Sequence, residues 1–140
     1  MLLSALNPAL QSERAQQDLV RVIGSIKEKL TSSHVIGELQ GLQVSKLRLH
    51  GDDRVNFWNA SVRRFWEWHF DEELVRLLDL DNYARCLPRI GIPDTGLREL
   101  ARRHACVLIT EDGRTLQREA LEAGVDCLLL QQVLPIEYWR

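Results

Sequence analysis

Two short apolar runs, each preceded by an amphipathic helical pattern, make Asp94 to Leu130 the stretch that most restricts what this chain can fold into. Leu97, Leu100 and Ala101 recur at three- and four-residue steps over Gly96 to His104, with Asp94 placed as the helix cap. Cys106-Val107-Leu108-Ile109 follows, a continuous apolar run of the kind that becomes a strand covered on both faces. Thr110-Glu111-Asp112-Gly113 is then a turn, Arg114 to Ala123 a helix stopped by Gly124, and Val125 to Leu130 a second buried strand. Helix, strand, helix, strand is doubly wound α/β grammar. In such folds ligands bind outside the carboxyl ends of the strands, where Asp94 and Asp112 are delivered by consecutive elements and can meet around one cation. Taken singly, Asp94 is also a helix cap and Asp112 a turn former before Gly113.

The chain's 140 residues, 45% hydrophobic and 27% charged, predict one globular domain over 1–140. No apolar run approaches the roughly 20 residues that span a bilayer, and Met1-Leu2-Leu3-Ser4 has neither a basic n-region nor a cleavage site, so the expected location is cytoplasmic, with no membrane partner. A formal net charge of −2 excludes broad, non-specific coating of nucleic acid and leaves room for a local basic patch. Cys86, Cys106 and Cys127 have no zinc or disulfide spacing, and Cys106 and Cys127, in or beside apolar runs, read as buried free thiols.

Upstream, Leu19, Val22, Ile23, Ile26 and Leu30 set the apolar face of a helix over about Ser12 to Leu30. Thr31-Ser32-Ser33 offers capping hydroxyls to a second helix striped by Val35, Ile36, Leu39, Leu42 and Leu47, with Glu38 among them. A helical, aromatic-rich insertion is expected at about 51–90. Its Trp58, Val62, Phe65, Trp66 and His69 follow helical spacing and suit a core or subunit interface, while the interleaved Arg54, Arg63 and Arg64 leave base stacking and phosphate contact open. Leu74 to Leu80 reads as a further amphipathic piece, and Cys86 to Pro93 as an irregular connection.

Asp94-Thr95-Gly96-Leu97-Arg98-Glu99-Leu100-Ala101, followed by Leu108-Ile109-Thr110-Glu111-Asp112-Gly113-Arg114, resembles the C-terminal half of a PIN domain. His34-Val35-Ile36-Gly37-Glu38-Leu39 is similar to that family's second motif, in which a helix presents a glutamate. The resemblance implies a three-layer α/β/α sandwich around a parallel sheet and a metal-dependent ribonuclease, often the toxin of a toxin–antitoxin pair. It covers almost the whole chain in order, most loosely from Gly51 to Pro93.

Carried over, Glu38, Asp94 and Asp112 match the family's acids, as catalytic residues and as ligands of Mg²⁺ or Mn²⁺, with Thr110 and Glu111 in support. Hard divalent cations take such oxygen ligands, and the bound metal activates a water and neutralises phosphate charge. Arg98, Arg102 and Arg114 are the RNA-contact candidates, set against ordinary solvated helix faces. RNA and an antitoxin protein are the implied partners. The family opens on a strand ending in an aspartate; here Met1 to Leu6 resembles the apolar residues that follow it, so the expected domain is N-terminally truncated. A start set too late accounts for this, because losing a central strand orphans buried backbone groups at roughly 1 to 3 kcal/mol each. A catalytically inactive binding or oligomerisation module is the alternative, and an edge left by the missing strand would favour a homo-oligomer.

Overall fold

The computed structural model describes residues 13–45, 47–76, 83–110 and 114–133. Along them run α1 (Glu13–Ser25), β1 (Lys29–Ser32), α2 (Ser33–Ser45), α3 (Gly51–Glu67), β2 (Phe70–Glu73), α4 (Tyr83–His104), β3 (Leu108–Thr110), α5 (Arg114–Glu122), β4 (Cys127–Leu129) and α6 (Leu130–Val133). The chain is mixed α/β with short parallel strands: β3 and β4 pair in parallel, Leu108 opposite Cys127 and Thr110 opposite Leu129. β1 and β2 pair in a separate two-stranded sheet. Two compact units result, one from Met1–Lys29 and Ile36–Asp71, the other from Leu30–Val35 and Glu72–Arg140.

The second unit contains the helix–strand–helix–strand order read from the sequence. Leu108, Leu116, Ala120, Val125 and Cys127 form its core together with Ala101, and Ile90 and Leu97 pack against it. Leu116 and Ala120, one turn apart on α5, supply the apolar stripe of the connection between the parallel strands. Both strands start two residues later than expected, for one physical reason. Each preceding helix closes with a left-handed residue, Ala105 at φ 50° and Gly124 at φ 73°. The next amide then turns back, Cys106 N–H to the Ala101 carbonyl and Val125 N–H to that of Ala120, both at 2.9 Å. Residues expected to open each strand therefore finish a helix cap. Cys106 is exposed for this reason, against the expectation of a buried thiol, whereas Cys127 is buried.

α4 also departs from expectation, since the connection expected at 86–93 is helical on both sides of Gly91. That residue, at φ 78° and ψ 175°, interrupts the helix, and only glycine adopts such a conformation readily. Helical backbone resumes ahead of Asp94 because the fixed φ of Pro93 suits a first turn, where its missing N–H has no partner to lose. The Thr95 hydroxyl donates to the Gly91 carbonyl at 2.7 Å and ties the two segments across the break.

α1, in the first unit, stops at Ser25, whose hydroxyl donates to the Val22 carbonyl at 2.8 Å; Leu30, which belongs to the second unit, lies in β1 and not in the helix. Leu19 and Ile23 are its buried face. Ser32 caps α2 as the sequence suggests, its hydroxyl accepting from the Val35 N–H at 3.3 Å. On α3, Ser61 and, just past the helix, Trp68 are buried, while Val62 and Trp66, on the face read as core or subunit interface, are 46% and 80% exposed and so are not core of this chain. Ser61 fits inside because its hydroxyl is satisfied by the Phe57 carbonyl at 2.8 Å. Of Leu74 to Leu80, Val75 is buried and Leu74 exposed; residues 77–80 lie outside the described residues.

Candidate functional site

Asp94 is half-buried in the first turn of the 92–104 segment, within the helix and not as its cap. A carboxylate there meets the positive end of the helix dipole. Thr95 is fully buried beside it. A methyl group added at Gly96 would meet His34 Cδ2 at 3.4 Å and Ser32 Oγ at 3.5 Å, so the start of this helix lies close against the Ser32–His34 corner. His34 is oriented by its Nε2, 3.0 Å from the Val75 carbonyl oxygen, to which a protonated Nε2 donates. Ser32 and Thr31 are buried on the same strand. One turn after Asp94, Arg98 is half-buried, and its Nε is enclosed with no hydrogen-bond partner among the described residues. Residues four apart share a helix face, so acid and guanidinium lie on one side of the segment.

Thr110 is buried at the carboxyl end of β3, the end at which parallel α/β sheets bind ligands. Glu111 and Asp112, the next two residues, lie outside the described residues. Glu38 is exposed on α2, in the first unit. Arg114 is exposed at the first position of α5. Among the described residues, no group of three His, Cys, Asp or Glu side chains could hold a metal ion. No helix among them is long and apolar enough to cross a membrane.

Arg102, read from the sequence as an RNA contact, is engaged within the fold. Its Nε and Nη2 donate to the buried Glu99 carboxylate at 3.0 and 2.7 Å, and Arg103 Nε adds a third bond at 2.9 Å. The hydrogen bonds from Arg102 outweigh desolvation and, with the one from Arg103, hold the Glu99 carboxyl below the ordinary glutamate range. A second buried carboxylate, Glu119 on α5, accepts from Arg89 Nη1 on α4 at 2.9 Å. The spacing of Glu99 to Arg102 and Arg103 was visible in the sequence as a helix pair; that the carboxylate is buried was not.

No family model, curated protein or solved structure matches the chain.

Proposed function

We propose that this protein is a metal-dependent endoribonuclease of PIN type, cleaving RNA by attack of a metal-activated water on the phosphodiester. Such a protein would be the toxin of a toxin–antitoxin pair, with the three-layer sandwich that the resemblance implies. The observation that carries the reading is the placement of Asp94 and Arg98 four residues apart at one helix start, with the Arg98 Nε enclosed and without a hydrogen-bond partner among the described residues. A carboxylate for a cation beside a donor for an anionic oxygen is what a phosphodiester requires. The parallel β3–α5–β4 arrangement, with Thr110 at the strand end next to Glu111 and Asp112, supports it further.

Asp94 and Asp112 supply ligand oxygens in this reading, and Glu38 is the third acid that the resemblance names. Mg²⁺ or Mn²⁺ held by Asp94 and Asp112 would lower the pKa of a bound water and offset charge on the phosphate. Arg98 holds a phosphate oxygen, and the Thr110 hydroxyl orients a neighbouring carboxylate. Incubation of single-stranded RNA with Mn²⁺, wild type against Asp94→Asn, tests the proposal: cleavage abolished by EDTA and lowered roughly 100-fold in the variant is expected. Absence of metal-dependent cleavage by the wild type overturns it.

A second reading, a binding module without cleavage, is favoured by Trp66, which α3 leaves 80% exposed. RNA retained by the protein and left intact in Mn²⁺ decides for it.

A further inference from the structure

The end of α3 builds a feature that the nuclease reading does not use. After Trp68, His69 takes a left-handed conformation at φ 54°, its N–H returning to the Trp66 carbonyl at 2.9 Å, and the chain doubles back. Phe70 thereby meets Phe65 edge to face, ring centres 5.6 Å apart and planes at 83°. These rings, with Trp66, His69 and Asp71, line an open groove of about 400 Å³. Trp66 is 80% exposed although an indole gains much from burial. The Phe65–Phe70 pair makes a fixed apolar floor, and the indole is a free planar surface beside it.

We infer that this groove binds an unpaired guanine base of single-stranded RNA. Stacking on an exposed aromatic ring is open to every base, so the choice among bases falls to the polar lining. Asp71 is the charged group of that lining. A carboxylate accepts two parallel hydrogen bonds, and guanine is the base whose pairing edge offers two adjacent donors, N1–H and the N2 amino group. Adenine and cytosine offer a single amino donor to the same carboxylate. Backbone phosphates are met by Arg63, exposed and one helical turn before Trp66, while Arg64 lies over the Trp68 ring at 5.9 Å. This inference deepens the ribonuclease reading by naming a base the substrate carries, and it takes RNA as the ligand from that reading.

Binding of a labelled six-nucleotide RNA, one guanine in a uridine background against the same strand with adenine there, is measured by fluorescence anisotropy on the full chain in EDTA. The guanine strand should bind more tightly. Trp66→Ala should weaken it about tenfold, and Asp71→Asn should bring the two strands within about twofold of each other. Both positions are exposed, and circular dichroism of each variant verifies the fold. Affinity unchanged by Trp66→Ala, a guanine preference that survives Asp71→Asn, or no binding of either strand overturns the inference. So does sedimentation showing that Trp66→Ala merely splits a dimer with RNA affinity intact. Because the measurement needs no metal and no cleavage, guanine binding without Mn²⁺-dependent hydrolysis leaves this inference standing and removes the nuclease reading. Hydrolysis without guanine binding does the reverse.

Discussion

Arg102 grips the Glu99 carboxylate through two of its own nitrogens, Nε and Nη2, one turn further along the same helix. The planar fork matches both carboxylate oxygens, a match that lysine cannot reproduce. Arg103 joins them and reaches towards Glu73, whose other oxygen is 2.7 Å from His104 Nε2. The last turns of α4 are thus linked by charge to β2.

Replacing Glu99 by Gln should therefore destabilise the fold. The buried acceptor loses its charge while two guanidinium groups lose their partner, and a loss of about 1–2 kcal/mol is expected from urea unfolding. Arg102→Lys, which keeps the charge and loses the fork, should show a smaller loss.

Acid should remove the same stabilisation. The Glu99 pKa is lowered in the folded chain by Arg102 and Arg103, so the folded state binds the proton less readily than the unfolded state. The contribution is complete above the unfolded glutamate pKa of about 4.3 and is lost as pH falls below it and through the lower folded value. Wild-type stability should consequently fall more steeply than that of Glu99→Gln over this interval, as measured by urea unfolding at stepped pH.

At Ala105 the left-handed cap is made by a residue with a Cβ, whereas the equivalent position at the end of α5 is Gly124. Ala105→Gly should raise stability by about 1 kcal/mol, read as a higher denaturation midpoint, since relief of backbone strain exceeds the entropy glycine adds to the unfolded chain. Gly124→Ala should lower it.

Leu116 is 2% exposed in the core of the second unit. Leu116→Ala leaves a cavity between helix and strands and should cost about 2–5 kcal/mol. A change below 1 kcal/mol in urea unfolding would mean that this core closes over the gap.

Metal linkage gives an independent check on the acids. Mn²⁺ should raise the melting temperature of the wild type, because a ligand bound only by the folded state stabilises it, and EDTA should reverse the rise. Asp94→Asn and Asp112→Asn should each abolish the response.

Periodicity was enough to locate α5, its glycine stop, the cap at Ser32 and the parallel pairing of the two apolar runs near the C-terminus. These depend on side-chain spacing and on conformations available to particular residue types, which are local properties of the chain. The strand starts were misplaced because Cys106, Val107 and Val125 are apolar in composition yet adjoin helix caps, a choice made by backbone hydrogen bonds. Folding alone decided which face of α3 is buried: Ser61 is inside, its hydroxyl satisfied by the Phe57 carbonyl, while the Trp66 indole is left exposed. The same holds for Arg102, which composition offers to RNA and the fold gives to Glu99. Burial arises from contacts between segments distant along the chain, and hydrophobicity read along a single segment cannot contain it.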